Sequence, residues 1–120
     1  MNRKNVSMEV VNEECSIKYY KDSAQIVVSG KMRRFGIENY EAFEAVFEKA
    51  VREKPPKLVL DITELSFLNS SGINLFLKFL IALRKEGTTK LTVNGTTRYF
   101  WQKKTLQNFQ TTLPGTAVNI

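Results

Sequence analysis

Short apolar runs separated by polar turns recur along the chain and predict a set of β-strands. The run at residues 58–60 is apolar at consecutive positions, which is typical of a strand buried on both faces. Two earlier, partly alternating runs flank the turn residues Asp22 and Ser23 and predict a hairpin. Residues 1–12 are weakly patterned and predict a loose N-terminal arm or the lead-in to a first strand. The predicted strands are residues 15–21, 24–29, 57–62, 90–93 and, as a short edge strand, 116–120.

Three other segments space their apolar residues three and four apart, which predicts helices. Pro55 and Pro56 stop the first helix, and Gly87 gives the second its usual glycine end. Thr96 or Thr97 is expected to cap the third helix. The predicted helices span residues 37–52, about 71–85, and from that cap to about 109.

The second helix is preceded by a polar turn, Asn69-Ser70-Ser71-Gly72. Such a turn puts two hydroxyls at a helix N-terminus, where unpaired N–H groups and the positive end of the dipole favour an oxygen ligand or a phosphate. One interpretation is a capped helix start. The other is a loop that is phosphorylated or that binds a partner.

The second helix is apolar around well over half of its circumference, and its polar side consists mainly of Asn74, Lys78 and Lys85. A helix that packs on a sheet needs an apolar stripe only ~100° wide. The surplus around Leu75 and Phe79 must therefore meet another helix of the domain or a partner protein. The sequence leaves both neighbours open.

A basic loop follows Gly30, which is expected to end the second strand. Two adjacent arginines, Arg33 and Arg34, lie there beside Met32 and Phe35, which are expected to be exposed. Such a loop could bind an acidic partner or a phosphate. Alternatively, the loop is solvated and Phe35 packs into the core.

Composition narrows the available chemistry of these 120 residues, a length that suits a single domain. The absence of histidine removes the commonest general base and zinc ligand, so we expect neither an enzyme nor a metal or other cofactor. Cys15 is the only cysteine, which favours a reducing compartment, most simply the cytoplasm. No apolar run reaches the ~18 residues that a membrane span needs.

The net charge of +6 is unevenly distributed. Residues 1–70 carry eleven basic and eleven acidic residues, whereas residues 71–120 carry seven basic residues against Glu86 alone. Within residues 71–120 the basic residues are scattered, with adjacent pairs only at 84–85 and 103–104. We therefore expect a solvated basic face rather than a nucleic-acid site.

The order β-β-α-β-α-β-α, with a polar turn opening the second helix, resembles the STAS domain. This is the fold of bacterial anti-sigma factor antagonists and of the cytoplasmic tail of sulfate transporters. The resemblance rests on Gly30, on Leu58-Val59-Leu60-Asp61, on the segment FLNSSGI at 67–73, and on Gly87 with the strand LTVNG at 91–95. It implies one α/β domain over residues 1–120, with a mixed four- to five-stranded sheet and helices packed mainly on one face.

In the family, the residue before the glycine of the turn is phosphorylated by a partner kinase that is also the anti-sigma factor. The resemblance assigns that role to Ser71, with Ser70 as the alternative, and implies that Gly72 lets the partner approach closely. The unphosphorylated form would bind the kinase and the phosphorylated form would release it. Asn69 stands where the family usually has Asp, so the capping oxygen is kept but the negative charge is lost.

The main hypothesis is therefore a non-enzymatic regulatory module of the bacterial cytoplasm. Its expected partners are an anti-sigma factor or serine kinase and a cognate phosphatase, with no small-molecule substrate and a monomeric or weakly dimeric state. The alternative is a constitutive STAS-like subunit of a transport or lipid-trafficking complex. Nucleic-acid binding through residues 84–104 is a third, less favoured hypothesis. The expected partner-binding residues are Arg33, Arg34, Asn69, Ser70, Ser71, Gly72, Asn74, Leu75, Lys78 and Phe79.

Overall fold

A computed structural model describes residues 5–34 and 40–120. Within these residues the chain forms a mixed sheet of seven strands and three helices. The predicted α/β class is confirmed, although the sheet has more than the expected four to five strands. In chain order, the elements are β1 Met8–Val11, β2 Cys15–Tyr20, β3 Gln25–Met32, α1 Glu41–Arg52, β4 Lys57–Asp61, β5 Leu65–Leu68, α2 Ser70–Glu86, β6 Lys90–Asn94, α3 Trp101–Thr112 and β7 Ala117–Asn119.

The sheet joins an antiparallel half to a parallel half. Strands β1, β2 and β3 pair antiparallel in succession, so the predicted hairpin is confirmed. Beyond β3, the strands β4, β6 and β7 follow in parallel, and β5 pairs in parallel with the end of β3. The passage from β3 through α1 to β4 therefore makes the expected parallel pair.

Two short strands were not predicted. β1 lies inside the expected N-terminal arm, yet each of its four residues pairs with β2. Met8 and Val10 pack against the core, whereas Glu9 and Val11 are exposed. β5 pairs with β3, a strand that is remote from it in the sequence. The interpretation as a loose arm was wrong for these residues because the pairing strand, rather than local propensity, makes them extended.

Gly30 does not end β3, contrary to the sequence prediction. The strand continues to Met32, and its register against β5 shifts between Gly30 and Lys31. Gly30 has φ of +95°, and its N–H donates to the carbonyl oxygen of Glu64 at 2.9 Å. This bulge turns Met32 into the core, where it is 0% exposed rather than part of an exposed loop. Phe35 lies outside the described residues.

The three helices pack on one face of the sheet, and the hydrophobic core lies between the helices and that face. Along β4, Leu58 and Leu60 are completely buried whereas Val59 is half-buried. The strand is therefore covered on one face only, although its apolar run suggested two. No helix in the described part of the chain is long and apolar enough to cross a membrane.

Phenylalanines join the three helices across this core. The ring of Phe47 on α1 lies 5.5 Å from that of Phe76 and 4.5 Å from that of Phe79, both on α2, measured between centroids. Phe76 in turn lies 5.7 Å from Phe109 on α3. The broad apolar arc of α2 is thus explained in part by α1, the first of the two neighbours that the sequence left open.

Local signals explain most helix ends. α2 ends at Gly87, which has φ of +86° and whose N–H donates to the Leu83 carbonyl oxygen. α1 begins at Glu41, and the earlier start expected at Ile37 lies outside the described residues. α3 begins at Trp101, later than predicted, and neither Thr96 nor Thr97 is its N-cap.

Candidate partner-binding site

The polar turn between β5 and α2 is a capped helix start. Asn69 is the N-cap of α2, and its Oδ1 accepts a hydrogen bond from the Gly72 N–H at 2.9 Å. Ser70 and Ser71 are consequently the first two residues of the helix, where the dipole is positive. Ser70 is exposed and Ser71 is half-buried. Both hydroxyls thus lie at a helix N-terminus that favours a negatively charged group.

Gly72 serves internal packing rather than the approach of a partner. It is buried, and a Cβ atom added there would lie 2.4 Å from Leu68 Cδ1 and 3.4 Å from Met32 Cβ. The role that the resemblance implied for Gly72 is therefore not supported by its position. The glycine lets the first turn of α2 sit directly on the ends of β3 and β5.

Asn69 also fastens the turn to the segment that follows β3. Its Nδ2 donates to the Arg34 carbonyl oxygen at 3.0 Å, and its backbone N–H donates to the Met32 carbonyl oxygen at 3.1 Å. The orientation of the amide follows from its two partners, since Gly72 offers a donor and Arg34 an acceptor. The Arg34 N–H donates in turn to Tyr40 Oη at 2.9 Å. Burial raises the pKa of the Tyr40 phenol, which keeps this group neutral.

We predict that Asn69→Asp loosens this connection. A carboxylate still caps α2, but it presents an oxygen to the Arg34 carbonyl where the amide donated a hydrogen bond. The lost bond costs about 1–2 kcal/mol of unfolding free energy, offset by about 0.5 kcal/mol from a negative charge at the helix N-terminus. Urea denaturation measures the net loss, and hydrogen exchange at the Arg34 amide reports the loosening.

Asn69→Ser is the matched variant, because serine also caps a helix but is too short to reach Arg34. It should speed exchange at the Arg34 amide as Asn69→Asp does, without adding a charge. Unchanged exchange in both variants would contradict a role for Asn69 in holding the two segments together.

The two arginines of the basic loop are engaged by acidic residues of the β1–β2 turn. Arg33 Nη2 donates to Glu14 Oε1 at 2.6 Å, and Arg34 Nη2 lies 3.8 Å from Glu13 Oε2. The backbone of Arg34 therefore borders the Asn69 turn, while its side chain is turned toward Glu13. A partner that uses these cations must compete with carboxylates already in place.

The outer face of α2 continues the site beyond the turn. Asn74 and Lys78 are exposed, as predicted, and Lys78 Nζ lies 3.5 Å from Glu44 Oε2 on α1. The sequence interpretation missed Leu77, which is half-buried, and Ile81, which is 44% exposed. Ser71, Asn74, Leu77, Lys78 and Ile81 line a shallow groove of about 430 Å³. We refer to it below as the α2 groove.

Leu75 and Phe79 are not available on this face. They are 5% and 3% exposed, and Phe79 packs against Phe47 of α1. Their inclusion among the partner-binding residues was wrong, because the opposite side of α2 faces the solvent. A signal for the correct side was present in the sequence. Leu77 and Ile81 lie three and seven residues after Asn74, on the face that this polar residue marks.

The site carries hydroxyl, amide and ammonium groups rather than an acid–base pair. In residues 5–34 and 40–120, no three His, Cys, Asp or Glu side chains come together to hold a metal ion. Cys15 lies in the core, and burial raises the pKa of its thiol. The site places Ser71 at the edge of a shallow groove on the outer face of α2.

The fold is that of a STAS domain. The STAS domain family model matches residues 35–98, more than half of the chain, and the protein belongs to this family. No curated protein matches the sequence.

Solved structures share the fold at low sequence identity. A chain from the complex of the diguanylate cyclase SiaD with its activator SiaC, from Pseudomonas aeruginosa, is 16% identical with a TM-score of 0.74, over 94% of this chain and 98% of that one. SiaC itself, from the same organism, is 15% identical with a TM-score of 0.69, over 94% and 95%. An anti-sigma factor antagonist from Mycobacterium paratuberculosis is 21% identical with a TM-score of 0.58, over 93% and 82%.

Proposed function

We propose that this STAS domain is a non-enzymatic regulatory module whose α2 groove and Asn69 turn bind a partner protein in the cytoplasm. Phosphorylation of Ser71 controls that binding, with Ser70 as the alternative site. The partner is an anti-sigma factor or serine kinase, and a phosphatase restores the unmodified serine. The unmodified form binds and the phosphorylated form is released.

The observation that carries this proposal is that Ser71 lines the same groove as the exposed residues of α2. Asn74, Leu77, Lys78 and Ile81 share that groove with the serine. A modification at Ser71 therefore changes the binding surface itself and needs no conformational relay. Leu77 and Ile81 supply apolar area to the groove, and Lys78 supplies a cation.

A phosphate at Ser71 would alter this surface through charge. It adds about −1.5 to −2 charges and three acceptor oxygens. The N-terminus of α2 tolerates that charge, because its N–H groups and dipole favour an anion. A partner docked over the groove would instead have to desolvate the phosphate, and an acidic partner surface would repel it. Modification thus leaves the fold intact and weakens the complex.

The similarity to SiaC favours a second class of partner for the same surface. Pseudomonas SiaC activates a diguanylate cyclase, and its complex has the highest TM-score of the structures compared above. A signalling enzyme of that kind, rather than an anti-sigma factor, is therefore the second candidate. The constitutive subunit of a transport or lipid-trafficking complex differs from both, because its binding would not depend on Ser71.

Ser71→Asp is predicted to weaken partner binding about 100-fold, the size expected when a like or unpaired charge enters an interface. Ser71→Ala should bind at least as tightly as the wild type. The measurement is capture of partners from the native host on each variant, with mass spectrometry of the captured proteins and of Ser71 itself. Titration of the isolated partner then gives the affinity ratio.

Ser70→Asp is the matched control, since it adds the same charge one residue away on an exposed position. It should weaken binding less than Ser71→Asp. The reverse order, with phosphate found on Ser70, would move the switch to Ser70. If no serine is modified and Ser71→Asp keeps every partner, the switch is excluded and the constitutive subunit remains.

A further inference from the structure

The first residues of α3 expose an aromatic ring that the fold does not use. Phe100 is 93% exposed, more than any other large apolar side chain in residues 5–34 and 40–120. Phenylalanine can bury 150–250 Å², so an almost fully exposed ring forgoes a large hydrophobic gain. The position precedes the first residue of the helix and contributes no side-chain cap.

The exposure of Phe100 does not come from a poorly anchored segment. Trp101 Nε1 donates to the Ser66 carbonyl oxygen at 3.0 Å. Gln102 is 0% exposed and its Nε2 donates to the carbonyl oxygens of Ile62 and Leu65 at 2.8 and 2.9 Å. The two residues that follow Phe100 are thus fixed on the domain. Their anchoring holds the start of α3 in a defined orientation, with the Phe100 ring in the solvent.

Three exposed basic residues lie within four positions of Phe100 in the sequence. Lys103 and Lys104 are exposed and lie three and four residues after Phe100, on the same side of the helix start. Arg98 is exposed, with its guanidinium 5.6 Å from the centroid of the Tyr99 ring and 3.6 Å from Glu64 Oε2. The first turn of α3 contains no acidic residue. We call Arg98, Phe100, Lys103 and Lys104 the basic aromatic corner.

We propose that the basic aromatic corner binds the surface of an anionic lipid bilayer, with Phe100 inserted at the headgroup level. A stable protein–protein interface buries about 800 Å² on each partner, contributed by roughly 20–30 residues. This corner offers one protruding ring among cations, with the polar residues Gln107 and Asn108 exposed on the next turn. A bilayer requires no shape complementarity, and aromatic and basic side chains are the ones that bind its interface. The basic excess of residues 71–120 matches an anionic surface.

This surface is distinct from the α2 groove, so the inference does not depend on the proposed switch. A STAS domain with both surfaces could hold its partner at a membrane. Because three cations and one ring give only weak attachment, we expect reversible binding that a second contact would strengthen.

The test is co-sedimentation with vesicles of equal parts phosphatidylserine and phosphatidylcholine, compared with vesicles of phosphatidylcholine alone. The whole chain should sediment with the anionic vesicles only, and less so as salt is raised. Trp101 is the only tryptophan, so its fluorescence reports locally. Its emission should shift to shorter wavelength when the neighbouring Phe100 enters the bilayer.

Two variants and two matched controls define the contact. Lys103→Gln with Lys104→Gln should weaken binding about 30-fold, and Phe100→Ser about tenfold. Lys57→Gln with Lys90→Gln removes two exposed lysines from paired strands instead, and Val11→Ser removes an apolar side chain that is 63% exposed. Both controls should bind as the wild type does. Circular dichroism establishes that each variant is folded.

Three results would overturn the proposal. One is equal sedimentation with neutral and anionic vesicles, or none with either. Another is full binding by Phe100→Ser, which would reduce the contact to diffuse charge. The third is displacement from the vesicles by a single-stranded oligonucleotide at far lower concentration than the lipid, which would make the corner a nucleic-acid surface.

Discussion

Gly30→Ala is expected to lower the free energy of unfolding by about 3 kcal/mol or more. Gly30 has φ of +95°, a conformation that L residues rarely adopt. In addition, a Cβ there would lie 2.1 Å from the carbonyl oxygen of Glu14 and 2.7 Å from the Cα of Cys15. Both are backbone atoms of the paired strand β2 or the turn before it, so they cannot rotate aside. The strand pair would have to separate locally.

Gly87→Ala separates the two causes. Gly87 has a similar φ of +86°, but the nearest atoms to its added Cβ are carbonyl oxygens at 4.0 Å. The strain of the backbone conformation remains without the clash, and we expect a loss of about 1 kcal/mol. Urea denaturation followed by circular dichroism gives both values. Equal losses in the two variants would show that β2 moves at little cost to accommodate the methyl group that Gly30→Ala introduces, contrary to our expectation.

The bulge at Gly30 illustrates what the sequence could and could not predict about the fold. A glycine after an apolar run indicates a break, and the sequence interpretation ended the strand there. The strand continues because β5 pairs with it beyond the break. β2, β3 and α2 carry long patterns of their own and were predicted. β1 and β5 are four residues each, and their strand conformation depends on partners that a local pattern does not contain.

The candidate site also has one part that the sequence predicts and another that it does not. The serine turn could be predicted, because Asn69, Ser70, Ser71 and Gly72 are consecutive in the sequence. The contact between Asn69 and Arg34 spans 35 positions and could not. The solvent-facing side of α2 was also predicted wrongly in part. Its apolar arc is so wide that several different sides of the helix could pack against the rest of the domain. The position of α1 decides among them and leaves Ile81, rather than Phe79, in the solvent.

Gln102 is the clearest case of a residue whose role the sequence does not indicate. In an exposed helix a glutamine is ordinary, yet this side chain is 0% exposed. Its Nε2 donates to the carbonyl oxygens of Ile62 and Leu65, and its Oε1 accepts from the Thr96 N–H at 2.9 Å. It therefore ties the loop before α3 and the start of α3 to the connection between β4 and β5. Only β5 separates that connection from the serine turn.

Gln102→Leu should lower the free energy of unfolding by about 2–3 kcal/mol. Leucine is similar in volume, so packing changes little, but three hydrogen bonds are lost at once. The Thr96 N–H loses its acceptor, and the Ile62 oxygen keeps only its bond from the Leu65 N–H. Urea denaturation at neutral pH measures the effect. A loss below about 0.5 kcal/mol, the level of an ordinary surface change, would mean that water replaces the side chain at no cost.

Gln102→Glu should be more damaging than Gln102→Leu at pH 7 and less damaging at acid pH. The ionised carboxylate is buried against two carbonyl oxygens, at an expected cost of about 3–5 kcal/mol. Burial and those oxygens favour the neutral acid, so the pKa of the introduced carboxyl is raised in the folded state. The folded protein then binds more protons than the unfolded chain between the two pKa values, and stability falls as pH rises through that window. Below about pH 4, the ordinary pKa of glutamate, the penalty is absent and the neutral acid can donate one of the two hydrogen bonds.

The difference in unfolding free energy between Gln102→Glu and Gln102→Leu, measured from pH 4 to pH 7, should therefore change sign. Comparing two variants at each pH cancels the titration of other groups, and a difference independent of pH would contradict the burial of this side chain.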